Sequence, residues 1–273
     1  MKLRESCLSS GWYPRDGEKI KDFLLPFAMA AAPSAKAVVA PHAGWYYSGA
    51  VAAKAVSSLA READTIAIIG GHLPGGIPVL SAEEDGVKTP FGIMKIDEKL
   101  RLEFYKQVEC ASDRYEDNTV EVLLPMVHYF FPEAELLWLR FPSEISSFEA
   151  GKMLNKAALN AGRRILVISS TDLTHYGRNY GFCPKGYGRD ALDWVEKIND
   201  AAFINAILEK KAELVLERAE KDRSACSAGA VLGGLGFIGS QEQSPKLLEY
   251  RTSAGAESEI PDSFVGYAAI LLG

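Results

Sequence analysis

"TIAIIGGHLPGG", residues 65–76, runs from an Ile-rich apolar segment into two glycines, a histidine and a second glycine pair. A short apolar run bounded by glycine reads as a strand buried on both faces. The pattern recurs in "KAVVA" (36–40), "ELLWLRF" (135–141) and "RILVISS" (164–170), and "KLLEYRT" (246–252) and "FVGYAAILL" (264–272) complete the set. Helical patterning predicts helices over 48–61, 97–109, 119–130, 146–161, 190–209 and 211–220, with another beginning in "DGEKIKDFLLPFAMAA" (16–31). Buried strands alternating with helices predict an α/β fold: a central mixed, mostly parallel sheet with helices on both faces. No repeat, low-complexity tract or linker divides the chain, so one domain over residues 1–273 is expected.

Composition narrows the function classes. A net charge of −6 with no basic block argues against nucleic acid as a partner and favours a small organic or metal-containing one. No apolar run is long enough to span a membrane, and "MKLRESCLSSGWYPRDG" has no secretion-type apolar centre. A cytoplasmic location is the expectation, with Cys7, Cys110, Cys183 and Cys226 as free thiols.

The four histidines are unevenly placed. His42 follows "AVVAP", His72 follows "TIAIIGG" and His175 follows "RILVISSTDLT", each at or soon after the end of a predicted strand. Ligands of open α/β sheets bind at the carboxyl ends of the strands, where such loops converge. The glycines beside His42 and around His72 let backbone approach a ligand closely. Asp172, three residues before His175, would share a face with it if the segment turned helically, and could fix an imidazole's tautomer; it could equally cap a helix. His128, on a predicted amphipathic helix, reads as structural. Cys226, before a glycine-rich apolar helix, is a candidate nucleophile or soft ligand, but spacing alone does not choose it over Cys183. Trp45, Tyr46 and Tyr47 are candidates for a pocket lining or for the core.

Longer motifs carry a family resemblance. "GWYPRD" (11–16), "APHAGWYYSG" (40–49), "IIGGH" (68–72), "TPFG" (89–92), "NTVEVLLP" (118–125), "SSTDLTHYG" (169–177), "CSAG" (226–229) and "DSFVGYAAI" (262–270) occur in this order. Together they resemble the Memo family, also called AmmeMemoRadiSam system protein B, whose fold is similar to class III extradiol dioxygenases. The resemblance implies metal ligation by His42, His72 and Cys226, with Asp172 and His175 as the acid and imidazole beside it. It also implies a pocket reaching Asn118 and Glu121. Where the family has a histidine, this chain has Asn118, which can hydrogen-bond but cannot exchange a proton near neutral pH.

The function implied is a metal-dependent, dioxygenase-like oxidoreductase using iron(II) or copper, with zinc as an alternative, on an unidentified small molecule. Radical-SAM and AMMECR1-domain proteins are the implied partners. Two other readings use the same residues: a hydrolase with Cys226 as nucleophile, and an adaptor with a vestigial metal site.

Overall fold

The computed structural model describes residues 1–30, 34–239 and 243–273; Ala31, at the end of the first helical segment, lies outside them. The strands are β1 (Leu3–Arg4), β2 (Ala37–Ala40), β3 (Thr65–Gly70), β4 (Val79–Ser81), β5 (Gly86–Thr89), β6 (Gly92–Lys95) and β7 (Cys110–Ser112). They continue with β8 (Glu135–Arg140), β9 (Ile165–Ser170), β10 (His175–Gly177), β11 (Lys246–Thr252) and β12 (Ser263–Leu271). The helices are α1 (Gly17–Ala30), α2 (Trp45–Ser57), α3 (Glu98–Tyr105), α4 (Asn118–Glu121) and α5 (Leu124–Phe130). After them come α6 (Ser146–Ala161), α7 (Arg189–Trp194), α8 (Asp200–Leu208), α9 (Ala212–Asp222) and α10 (Ala228–Ile238).

The main sheet has the order β10-β12-β2-β9-β3-β8-β4-β7, with β11 also paired to β12. Its centre, β2-β9-β3-β8, is parallel, while β12 and β4 join that centre antiparallel. The sheet is therefore mixed, as the alternation of apolar runs predicts. Its central strands alternate between two cores. Val38, Ile66, Ile68, Leu136 and Ile168 face α1, α2 and α5, while Val39, Ala67, Ile69, Leu137 and Val167 face the layer of α3, α6, α8, α9 and α10. Each face removes a contiguous apolar surface from water, the main favourable term in folding.

A second, three-stranded sheet, β1-β5-β6, has no counterpart in the sequence reading. Its strands, like β4, β7 and β10, are two to four residues long, too short to display a period of two. The predicted helix 119–130 is two helices, because Pro125 stands in the first turn of α5 and has no N–H to continue the first. The predicted helix 190–209 is continuous but contains a π turn at Val195–Asn199 between α7 and α8. That turn leads Asn199 and Asp200 inward, where the Asn199 amide and the Asp200 carboxylate bond Thr174 in the loop after β9.

Candidate metal centre

Register places the site. Ala40 pairs with Ser170, Ile69 with Ser169 and Gly70 with Arg140, so the parallel strands β2, β9, β3 and β8 end at one level. His42, Asp172 and His72 each lie two residues beyond such an end, on three adjacent strands. The sheet thus gathers side chains that are far apart in sequence.

His42 is almost fully buried. Its backbone N–H donates to Asp172 Oδ1 at 2.8 Å, and its Nδ1 meets Ser170 Oγ at 2.8 Å. Asn118 Nδ2 donates to its carbonyl at 2.9 Å. Its ring is therefore gripped from one side, leaving Nε2 to face Cys226 Sγ at 3.2 Å.

His72 is held differently. Its φ of +56° lies in the left-handed region, which a residue bearing a Cβ enters at a cost of roughly 1–2 kcal/mol. Gly71 permits the approach that imposes this turn, since a Cβ there would lie 2.9 Å from Ser227 Cα and nearer still to its side chain. The His72 N–H donates to Ser227 Oγ at 3.3 Å, and Nδ1–H donates to Asp117 Oδ2 at 3.0 Å. Asp117 in turn faces Arg140 at 3.2 Å, and the Arg140 Nε–H donates to the Gly71 carbonyl at 3.0 Å. Burial pulls the His72 pKa down, but hydrogen bonds and charge from Asp117 and Cys226 outweigh it and raise it to about 10. Asp117, although burial acts to raise it, is held far below the carboxylate range by His72, Thr119 and Arg140.

Cys226 stands just before α10. Its N–H donates to the Asp172 carbonyl at 3.3 Å, and Ala225 bridges to Leu173, so its loop is pinned to the loop after β9. Burial works to raise its thiol pKa, yet the His42 charge and hydrogen bonds from His42 and His72 bring it down to about 6. One nitrogen each of His42 and His72 and the sulfur of Cys226 lie within 4.8 Å of one another, a group that could hold a metal ion. Cys183 is elsewhere, on an exposed loop beside Tyr187. His128 lies at the end of α5, bonded to Thr89.

Asp172 and His175 both line the cavity, of about 780 Å³, that opens over His42 and His72. They do not share a helical face: the chain after Asp172 is extended and His175 begins β10. Nor does Asp172 cap a helix; it accepts the N–H of His42 in the loop before α2. His175 Nδ1–H donates to the Leu173 carbonyl at 3.1 Å, and burial lowers its pKa.

Tyr46, Tyr47 and Asn118 line the same cavity, but Trp45 and Glu121 do not. Trp45 belongs to the core: α2 begins three residues earlier than its periodicity predicts, so the indole points inward. It packs on Phe23 with ring centroids 5.1 Å apart, and its N–H donates to the Val122 carbonyl. Glu121 faces away from the cavity and anchors residues 6–13, accepting from Cys7 N at 2.8 Å, Leu8 N at 3.1 Å and the Tyr13 hydroxyl at 3.1 Å. Ser9 and Trp12 of that anchored segment form a cavity wall. The sequence reading missed Ser170, Asp117 and Arg140. The signal for two of them was a polar residue at or next to the end of an apolar run, Ser170 closing "RILVISS" and Arg140 before the last residue of "ELLWLRF".

The family model for Memo-like proteins matches residues 4–271. The chain is similar to a MEMO1 family protein of Pyrococcus furiosus, 30% identical over 99% of either chain. It is likewise similar to one of Pyrobaculum arsenaticum, 32% identical over 99% of either chain. Among solved structures, an uncharacterized protein of Escherichia coli K12 aligns with a TM-score of 0.46 and 13% identity, covering 86% of this chain and 99% of that one.

Proposed function

This chain belongs to the Memo-like protein family, and on that premise we propose a metal-dependent oxidoreductase whose ion is held by His42, His72 and Cys226. One observation carries the reading. The donor atoms converge within 4.8 Å while each imidazole is tied through its other nitrogen, His42 to Ser170 and His72 to Asp117. Metal-ligating histidines are oriented in this way, the far nitrogen fixing ring and tautomer. A soft thiolate beside two imidazoles suits copper or iron, with zinc as the redox-inert alternative. A redox-active ion bound here would supply Lewis acidity and electron transfer.

The chain's own residues do the rest. Asp172 locks the His42 loop by accepting its N–H. His175, whose Nδ1–H is committed to the Leu173 carbonyl, keeps Nε2 as a lone pair when neutral. Its burial favours that neutral form, so it can take a proton from a molecule in the cavity. Asn118 holds the His42 carbonyl and moves no proton.

Elemental analysis of anaerobically purified protein tests the proposal. Stoichiometric iron or copper in the wild type, lost in His42→Ala, His72→Ala and Cys226→Ser alike, is expected. Metal content unchanged by all three substitutions would sink it.

A second reading has its own observation. Cys226 Sγ lies 3.2 Å from His42 Nε2 with its pKa pulled down to about 6, the arrangement of an activated thiol nucleophile. Ester or thioester hydrolysis that survives chelation and disappears in Cys226→Ser would favour this hydrolase over the oxidoreductase.

A further inference from the structure

The cavity over His42 and His72 has an uneven lining. It is lined by His42 and His72 of the candidate metal group, while Cys226 opens onto the smaller cavity behind His175. Its mouth carries three exposed rings, Tyr46 at 73%, Tyr47 at 45% and Tyr180 at 38%. Tyr46 and Tyr47 meet edge to face with centroids 4.8 Å apart. Apolar surface left exposed around one opening marks a binding site more often than chance packing.

Among the described residues, no lysine or arginine lines the cavity; its carboxylates are Asp172 and Glu257. The imidazoles of His42, His72 and His175 also line it, His72 being held cationic by Asp117 and Cys226. Asp172 is occupied by the His42 N–H. Glu257 is exposed and forms no ion pair among the described residues. The arginines nearby are committed elsewhere. Arg223 donates to the Tyr180 and Gly181 carbonyls and faces a separate, smaller cavity behind His175. Arg178 sits 3.9 Å from Asp262. An anionic head group in the outer cavity would meet ring faces and a carboxylate, with no lysine or arginine to receive it and the His72 imidazolium already engaged by Asp117. A protonated amine would meet the negative faces of the rings and Glu257 together.

We propose that the outer half of this cavity selects a protonated aromatic amine and disfavours the matching carboxylate. This rests on the reading above that the cavity receives the small molecule, and it adds the charge class of that molecule. The flat body is held among the tyrosines and the ammonium lies toward Glu257.

The test uses three compounds that differ only in the group on one phenol ring: tyramine, para-ethylphenol and para-hydroxyphenylacetate. Each is titrated calorimetrically into the full chain after chelation, into chelated His72→Gln protein so that neither a metal ion nor the His72 imidazolium attracts the carboxylate, and again after metal loading. Tyramine is expected to bind tightest in the chelated protein, about 3- to 10-fold over para-ethylphenol, with para-hydroxyphenylacetate weakest. Glu257→Gln should close most of the gap between tyramine and para-ethylphenol. Tyr46→Ala, at a position too exposed to threaten folding, should weaken tyramine roughly 2- to 5-fold. The proposal is overturned if the carboxylate binds as well as the amine in the chelated His72→Gln protein. It is equally overturned if Glu257→Gln leaves the preference intact, or if none of the three compounds binds. Metal content measured on the same samples reports on the metal reading alone, so the two can fail separately.

Discussion

His42 and His72 stand in the loops on either side of the Asp172 loop at one sheet edge, yet the protein supports them in opposite ways. His42 is buried in ordinary backbone geometry and its far nitrogen rests on a neutral serine hydroxyl. His72 is a third exposed in its side chain, takes a left-handed backbone and leans on a charged relay of Asp117 and Arg140. The contrast separates two tasks. A buried imidazole with a neutral partner is a fixed post, its position set by packing. An imidazole on a carboxylate has its basicity raised as well as its orientation fixed, which strengthens it as a ligand. The more exposed histidine, next to the cavity, is therefore the one whose chemistry is tuned.

Arg140 is where this comparison breaks most visibly. It is nearly fully buried, and it serves Asp113, Asp117 and the Gly71 carbonyl at once. Replacing it by methionine keeps the volume but leaves two carboxylates short of their main cation, a loss of about 3–5 kcal/mol in unfolding free energy. Urea denaturation should show that loss, and Arg140→Lys, which keeps charge without the fork, should recover part of it. No residue supporting His42 should approach this effect, because none of them leaves a charge stranded. A Ser170 substitution as damaging as Arg140→Met would erase the distinction between the two supports.

Much of this edge could be read from sequence. The apolar runs at 65–70 and 246–252 and the helix at 146–161 coincide with β3, β11 and α6. β2 and β3 flank β9 as parallel strands, so the loops carrying His42 and His72 leave the same edge on either side of Asp172, and the two rings lie 4.9 Å apart, centroid to centroid. Three things could not be read. The second sheet is built from strands too short to carry a period. The burial of Trp45 depends on α2 starting at residue 45, three residues before its amphipathic pattern begins. The supports of His72 and the partners of Glu121 depend on contacts between distant residues, such as His72 with Asp117 45 positions away and with Ser227 155 away, and Glu121 with Cys7 114 away, with no local signature to connect them. The cost of a left-handed His72 is likewise invisible until Gly71 and Ser227 are seen in contact.

Asp117→Asn sharpens the comparison at the level of the ligand. Asparagine can still accept the His72 Nδ1–H through its amide oxygen, so orientation survives while the charge is lost. Metal affinity, measured by competition with a chromophoric chelator, should fall about 10- to 100-fold, the range for removing the outer-shell partner of a ligating histidine. The His72 Nδ1–H and the Thr119 N–H meet different oxygens of Asp117. With the amide oxygen toward His72 the Thr119 N–H therefore loses its acceptor, a cost of about 1–3 kcal/mol in stability that urea denaturation should show beside the affinity loss.

Ser170→Ala is the matching change behind His42 and should be the mildest. The hydroxyl contributes one hydrogen bond to a ring already enclosed by protein, worth about 0.5–1.5 kcal/mol. Asp172 and Asn118 continue to hold the loop through the backbone N–H and carbonyl of His42, which the substitution does not touch. The expected loss of metal affinity is therefore about tenfold at most, smaller than that of Asp117→Asn in the same competition assay. An equal or greater loss at Ser170 would mean that packing alone does not hold His42. The tuned and the fixed histidine would then differ in backbone strain but not in what their partners do.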